Sequence, residues 1–286
     1  MIYPLIFNPK AKSQRSQRTQ RFFQEYSSRL EVYPTKHGDE AKELAAKLAA
    51  DGAEFVIAAG GDGTLNSVAS GLAGTNTALG VIPSGTMNVF AREMGIPCQD
   101  FSECFRIIER GQVTEIDLFE ANGSPFLQMA GVGLDAMVIE QTTWQSKKRL
   151  GPLAYFLSAV KILGEKPPVL EVNFADGRRE QGVLVLAGNG GLYGGPIKLF
   201  RAANNRDSKL DVLVFREAGY KLLLSSLQGI AKGGIDLASS IGYFQTEAFS
   251  ITAGTDFPAE IDGEFFGRFS RIDFVRSPRH LKVVTC

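Results

Sequence analysis

The chain has 286 residues, 31 lysines and arginines against 31 aspartates and glutamates, and 44% hydrophobic residues. That length suggests one large or two modest domains, and a formal net charge of zero excludes a nucleic-acid footprint on the scale of the whole chain. Three cysteines (Cys98, Cys104, Cys286) without a CxxC pair argue against a disulfide framework or zinc site and for a reducing compartment. With only two histidines, His37 and His280, a Ser–His–Asp hydrolase or multi-histidine metal centre is disfavoured, and proton transfer falls to a carboxylate. MIYPLIFNPKAK lacks the features of a signal peptide, and no apolar run approaches the ~20 residues of a membrane span. The expectation is a cytoplasmic protein, at most peripheral to the inner face of a membrane.

Residues 1–8 read as a strand, followed by a polar helix through about Leu30. Between Lys10 and Arg21 lie five basic residues (Lys10, Lys12, Arg15, Arg18, Arg21) and no acid. They make either a solvated helix face or an attractive surface for phosphate or anionic groups. Leu30–Pro34 reads as a strand and Asp39–Asp51 as a helix with Asp39 as N-cap. The run at 55–59 reads as a strand buried on both faces. It enters GGDGT, after which Leu65, Val68, Ala69 and Leu72 fall at helical spacing. Ala78–Pro83 is another strand, followed by SGTMN and a helix over 87–94. This β-α-β-α rhythm means a parallel sheet covered by helices.

After about residue 113 the pattern becomes a series of strands separated by NG, DG and GG turns, interrupted by helical inserts at 147–163 and about 219–241. The second half reads as mainly antiparallel β, a sandwich or barrel. The expected division is an α/β domain over 1–117 and a β-rich domain over 118–277, with residues from about 278 to 286 packing back on the first.

A strand, a glycine loop and a helix N-terminus together offer backbone N–H groups and a positive dipole end to phosphate. FVIAAGGDGTLN (55–66) has that order, yet it is not a P-loop, because no lysine follows its last glycine. IPSGTMN (82–88) repeats the arrangement, so two such N-termini on neighbouring strands could cradle a triphosphate.

GGDGTLN together with PSGTMNVFAREMGIP resembles the catalytic domain of diacylglycerol kinases, ceramide kinases and bacterial lipid kinases, and more distantly NAD kinases and phosphofructokinases. The resemblance continues through NPKAK (8–12), Thr35, AGVGLDA (130–136), KKRLGPLAYFLSAVK (147–161), NGGLYGG (189–195) and EIDGE (260–264). It implies an NAD-kinase/phosphofructokinase-like α/β domain followed by a mainly antiparallel β-sandwich. It also implies nucleotide contacts from Asn8, Thr35, Gly60, Gly61, Asp62, Gly63, Thr64, Leu65, Asn66 and Thr86. Three departures stand out. Lys12 replaces the glycine of the family's NPxxG, Asn88-Val89 replaces Asn-Asp, and RAANNRDSKLDV (201–212) replaces a glycine-containing metal loop. The implied metal-binding aspartate is Asp207, with Asn204 and Lys209 as carbonyl ligands and Ser208 in the place of the usual glycine.

Similar kinases place a general base in DGE, which implies Glu264 in that role and Asp262 next in line. Asp262-Gly263 is at the same time a hairpin signal. Asp62 suits a water-mediated metal contact, and Asp135 either joins that network or is a turn aspartate. The implied acceptor is a lipid. Leu153, Phe156, Leu157, Val160 and Ile162 in one insert, and Leu222, Leu223, Leu227, Ile230 and Leu237 in the other, serve core packing or an acyl slot. Lys147, Lys148 and Arg149 could meet anionic headgroups.

The resemblance thus implies an ATP- and Mg²⁺-dependent kinase that moves the γ-phosphate of ATP to a diacylglycerol-type hydroxyl. Its expected partners are a lipid acceptor and a membrane surface, with a homodimer as assembly and no nucleic acid. NAD kinase is the alternative enzyme, although GTMN differs from the acidic Asn-Asn-Glu type expected there. A non-catalytic nucleotide or lipid sensor is the alternative outside enzymes.

Overall fold

The structure, a computed structural model, describes residues 2–9, 17–141, 167–217 and 241–286. The chain divides into two compact units. The first comprises Met1–Leu118, Gly194–Pro196 and Ser277–Cys286, and the second comprises Phe119–Tyr193 and Ile197–Arg276.

In the first unit, β1 (Tyr3–Phe7), β2 (Leu30–Pro34), β3 (Phe55–Gly60) and β4 (Ala78–Pro83) are all parallel and lie in the order β2-β1-β3-β4. Every residue of β3 and β4 is buried. Their unbroken apolar runs are what a strand covered by helices on both faces requires. The helices are α1 (Gln17–Glu25), α2 (Gly38–Ala50), α3 (Asp62–Leu72), α4 (Val89–Glu93) and α5 (Phe101–Arg110). Leu65, Val68, Ala69 and Leu72 form the buried stripe of α3. Gly71 in α3 leaves no room for a Cβ against Lys42 O and Ala45 of α2, so the two helices pack through glycine and alanine. Tyr3, Phe22, Tyr26 and Phe105 form an aromatic cluster between β1, α1 and α5.

The N-terminal details correct two expectations. His37, not Asp39, caps α2: its Nδ1 accepts the N–H of Glu40 at 3.3 Å. The glycine loop after β3 is also shorter than the sequence suggests, because α3 already begins at Asp62 with Gly61 as N-cap.

The second unit contains the end of β5 (Val113–Ala121), then β6 (Ser124–Phe126), β7 (Met129–Gly133), α6 (Leu134–Gln141), β8 (Leu170–Phe174), β9 (Arg179–Gly182) and β10 (Leu184–Gly188). It continues with β11 (Leu192–Tyr193), β12 (Ile197–Lys198), β13 (Leu210–Phe215), β14 (Ile241–Thr246), β15 (Ala248–Ile261) and most of β16 (Glu264–Val284). The order β14-β13-β10-β7-β15-β16 is antiparallel throughout. Its core is rich in phenylalanine, with Phe249 and Phe274 stacked at 4.6 Å. At its C-terminal end β16 enters the first unit, where Lys282 and Val283 pair in parallel with Ala78 and Leu79 of β4.

Asp262 (φ 49°) and Gly263 (φ 82°) join β15 to β16 as a two-residue turn, with Ile261 opposite Glu264. Two successive positive φ angles are the signature of the hairpin turn whose twist matches the strands. A register shift between Ala259 and Glu260 places a bulge beside this turn. The first helical insert and all but Ile241 of the second lie outside the described residues, and Ile241 opens β14 rather than ending a helix. Lys10, Lys12, Arg15, Lys147, Lys148 and Arg149, with the apolar residues singled out in the inserts, also lie outside them.

Candidate active site

Four of the expected nucleotide segments sit at one end of the parallel sheet. Asn8 follows β1, Thr35 follows β2, Gly60 ends β3, and Ser84–Thr86 follow β4. These are the carboxyl ends of the strands. In the order β2-β1-β3-β4 the chain winds outward in opposite directions from β1 and β3, which makes their carboxyl edge a topological switch point, where open α/β sheets bind ligands. Asn8 and the GGDGT segment flank that point.

The two glycine segments are fastened together. Ser84 N–H donates to Gly60 O at 2.9 Å, and Gly61 and Gly85 approach too closely for side chains. The N–H groups of Thr64 and Leu65 close back onto Gly61 O and that of Asp62 faces its own carboxylate, so the Gly63 N–H is the one left in the first turn of α3. Gly63 and Thr86 are exposed, whereas Leu65 is a core residue that faces away from any ligand at this edge. The Asn66 Oδ1 is buried without a hydrogen-bond partner. Thr35 is also buried, and its hydroxyl donates to Phe7 O at 3.2 Å, tying β2 to β1.

The idea of two free helix N-termini needs correction. Asp62 Oδ1 accepts the N–H of Phe90 at 3.3 Å, so the carboxylate that opens α3 occupies the first turn of α4. Burial pushes the Asp62 carboxyl above its ordinary range, and the backbone N–H groups of Phe90, Val89, Asp62 itself and Asn88 pull it back. Of the basic run, Arg21 is exposed, while Arg18 donates to Gln99 O and lies over the Phe101 ring at 4.1 Å. A pocket of about 360 Å³ beside Phe55 and Ala78 lies at the amino ends of β3 and β4 and contains none of these residues.

In the second unit, Glu264 is exposed on the first residue of β16. Asp262 is differently placed. Its Oδ2 accepts the N–H of Leu127 at 2.8 Å, and its Oδ1 accepts those of Gln128 and Met129 at 2.8 and 3.1 Å. A carboxylate with three backbone donors holds its turn firmly, and both of its oxygens are engaged. Beneath the turn lies Glu260, fully buried, with Asp135 beside it and Tyr193 OH 2.5 Å from Asp135 Oδ1. Glu260 heads the EIDGE run and Tyr193 lies in NGGLYGG, yet sequence reasoning gives neither a role. The signal for Glu260 is a carboxylate on a strand position where its neighbours Phe257 and Ala259 are apolar.

Asp207, the expected metal ligand, is half-buried, and its Oδ1 accepts the N–H of Lys209 at 3.0 Å. The Asn204 carbonyl already accepts N–H groups from Arg206 and Asp207. Ser208 takes φ 65°, a left-handed conformation that glycine adopts more readily. No group of three or more His, Cys, Asp or Glu able to hold a metal occurs among the described residues. The 204–209 segment would offer a Mg²⁺ ion one carboxylate oxygen and backbone carbonyls, and the ion would keep most of its waters.

A sheet with nucleotide-type loops at its switch point and an antiparallel unit with an acidic hairpin define the class. The chain belongs to the diacylglycerol kinase family of lipid kinases: residues 3–121 match the diacylglycerol kinase catalytic domain, and residues 128–285 match the YegS C-terminal NAD kinase beta sandwich-like domain. It is 29% identical over 290 residues to a diacylglycerol kinase of Bacillus subtilis (strain 168), covering 98% of this chain and 95% of that protein. A crystal structure of a diacylglycerol kinase from Bacillus anthracis str. Sterne superposes with a TM-score of 0.80 at 25% identity, over 100% of this chain and 97% of that one. An NAD kinase from Archaeoglobus fulgidus in complex with ATP shares the fold, with a TM-score of 0.55 at 11% identity over 100% of this chain and 94% of that one. Among the described residues no helix is long and apolar enough to cross a membrane.

Proposed function

We propose that this lipid kinase transfers the γ-phosphate of ATP to the hydroxyl of a diacylglycerol-type lipid. The observation that carries the reading is the gathering of Asn8, the GGDGT segment and Thr86 at the carboxyl ends of adjoining parallel strands, in a chain of this family. The ATP complex of the NAD kinase that shares the fold supports ATP as the donor.

The first unit binds the nucleotide. The Gly63 N–H meets a phosphate oxygen at the start of α3, the Thr86 hydroxyl donates to a phosphate, and Asn8 contacts the nucleotide from the end of β1. Asp62 carries the negative charge of this loop and holds α4 in place through Phe90, while Thr35 and Leu65 support the loops from beneath. Mg²⁺, when bound, neutralises phosphate charge in the reaction. Asp207 with the carbonyls of Asn204 and Lys209 would hold a further ion that orders their own loop.

Glu264 is the general base. The acceptor oxygen attacks the γ-phosphorus, the bond to the β–γ bridging oxygen breaks, ADP leaves, and the hydroxyl proton passes to Glu264. Its exposure leaves the carboxylate accessible to an acceptor, whereas the Asp262 carboxylate is committed to three N–H groups. The enzyme works in the cytoplasm at the inner face of a membrane, where its acceptor resides, and as a homodimer. It needs no nucleic acid.

Incubation with labelled ATP, Mg²⁺ and vesicles carrying diacylglycerol, monoacylglycerol, sphingoid base or phosphatidylglycerol, with NAD as a separate acceptor, tests the reading. Label in a lipid monoester supports it, with diacylglycerol preferred. Label in NADP would assign the NAD kinase reaction, and ATP binding without transfer to any acceptor would assign a sensor.

A further inference from the structure

Glu260 and Asp135 bury two carboxyl groups against each other under the Asp262-Gly263 turn, and the outer oxygen of each is accounted for. Tyr193 OH donates to Asp135 Oδ1 at 2.5 Å, and Gly263 N–H donates to Glu260 Oε2 at 2.7 Å. The inner oxygens, Asp135 Oδ2 and Glu260 Oε1, are buried without a donor. Both occupy the space that a Cβ on Gly131 would need, which places them together over the glycine of β7. Two ionised carboxylates in one dry site repel, whereas a single proton between them turns repulsion into a strong O–H···O⁻ bond.

We infer that Asp135 and Glu260 share one proton, and that the resulting chain Tyr193–Asp135–Glu260–Gly263 positions the turn that carries Glu264. This assignment deepens the proposed function and rests on Glu264 as the base. The turn is held at two successive residues, Asp262 by the N–H groups of Leu127, Gln128 and Met129, and Gly263 by Glu260. Glu264 begins the next strand, so its direction follows the peptide plane that Glu260 fixes. Glu260 is a positioning residue, one step removed from the reacting atoms.

The groups facing Glu260 are Asp135 from α6, Asp262 from the turn, and Gly263 N–H. Tyr193 from β11 faces Asp135. Burial pushes Glu260 well above its ordinary range and the charge of Asp135 adds to this. Asp135 is raised by burial and pulled back by its bonds to Tyr193 and Glu260. The folded chain therefore retains a proton that the unfolded chain has released. The stabilising contribution is complete below the ordinary carboxylate range and is lost as pH rises through the pair's raised value. Once the proton leaves, the two anions separate and Gly263 loses its fixed acceptor.

Difference infrared spectroscopy on the full chain across a pH titration reads the proton directly. The expected result is that wild type retains, above the ordinary carboxylate range, protonated-carboxyl C=O intensity that Glu260→Gln lacks, on top of any band common to both from the raised Asp62 and Asp211 carboxyls. Spectra of wild type and Glu260→Gln that show no such difference overturn the shared proton. The kinetic arm measures kcat, the KM for ATP and the pH profile. Glu260→Leu removes the acceptor for Gly263 and should lower kcat by up to about 10²-fold, the effect of misplacing a reacting group by an ångström, with the KM for ATP unchanged.

Glu260→Gln keeps that acceptor and supplies an N–H in place of the proton. It should recover most of the kcat lost in Glu260→Leu, and the alkaline fall in kcat should flatten. A Glu260→Gln profile superimposable on wild type, or a Glu260→Leu variant whose loss lies wholly in the KM for ATP, overturns the positioning role. If Glu260→Leu does not fold, the comparison of Glu260→Gln with wild type decides alone. Should wild type phosphorylate no lipid, the kinase reading falls, while the infrared arm still supports or overturns the carboxyl pair.

Discussion

Gly61 and Gly85 meet at the limit of approach: a Cβ on Gly85 would stand 2.5 Å from the Cα of Gly61 and 2.6 Å from Asn88 Oδ1. This contact is what brings the GGDGT and SGTMN segments together at the ends of β3 and β4. Gly85→Ala should push them apart, destabilise the fold by about 1–3 kcal/mol through overpacking, and weaken ATP binding. A thermal melt and an ATP titration would show both effects. Gly63→Ala is the comparison, because a Cβ there meets nothing within 4 Å and alanine suits the first turn of α3. Its melting temperature should not fall.

Asp62 joins two roles that substitutions can separate. Its carboxylate accepts the Phe90 N–H and also supplies the negative charge of the phosphate segment. Asp62→Ala should abolish phosphoryl transfer and cost about 1 kcal/mol for the lost cap. Asp62→Asn retains an acceptor for Phe90, so its stability should be near wild type while turnover remains abolished. An active Asp62→Asn enzyme would reduce the residue to a cap.

Thr86 is exposed beyond β4 and buries nothing. Thr86→Val should therefore leave the melting temperature unchanged and weaken ATP binding by roughly 1–3 kcal/mol, the cost of a hydrogen bond to a charged group. Calorimetry with unchanged ATP affinity would remove Thr86 from the nucleotide site.

Glu264 and Asp262 make opposite predictions although one glycine separates them. Glu264→Gln should lower kcat by about 10²–10⁴, with the hairpin, the melting temperature and ATP affinity preserved. In Asp262→Asn an amide N–H₂ must face one of the three N–H groups now bound by the carboxylate, so stability should fall by about 1.5–3 kcal/mol. Gly263→Val should damage the hairpin, since φ is 82° there. Paired melts and rate measurements distinguish a chemical loss from a structural one.

What the sequence reveals depends on the range of the interactions. β2 and β4 match their expected bounds, because each closes at a proline. The Asp262-Gly263 hairpin is legible for the same local reason, since two positive φ angles select that dipeptide. Helix α5 is missing from the expected elements even though Asp100 caps it and Phe101, Cys104, Phe105 and Ile108 form its buried stripe. The short pairing of β11 with β12 and the helix α6 carry too little periodicity to be read. The cap of α2 moves to His37 because an imidazole nitrogen can accept an N–H as a side-chain oxygen does.

At the site, strand ends and glycine segments follow from local pattern, but their mutual engagement does not. The bond from Phe90 N–H to Asp62 and the burial of the Thr35 hydroxyl against Phe7 arise only when distant segments pair. The same holds for Asp135 and Glu260, which lie on α6 and β15 and meet only because β7 and β15 are neighbours in the sheet. Their single-residue contexts resemble an ordinary turn aspartate and an ordinary strand glutamate.

The most direct test of the central claim follows the terminal phosphate itself. Wild-type chain is given diacylglycerol vesicles, Mg²⁺ and ATP labelled at either the γ- or the α-phosphorus, and the solvent-extracted lipid is counted. The account predicts label in phosphatidic acid from γ-labelled ATP, none from α-labelled ATP, and none from either in Asp62→Ala. Label that appears only as inorganic phosphate, or lipid labelling that survives in Asp62→Ala, would contradict it.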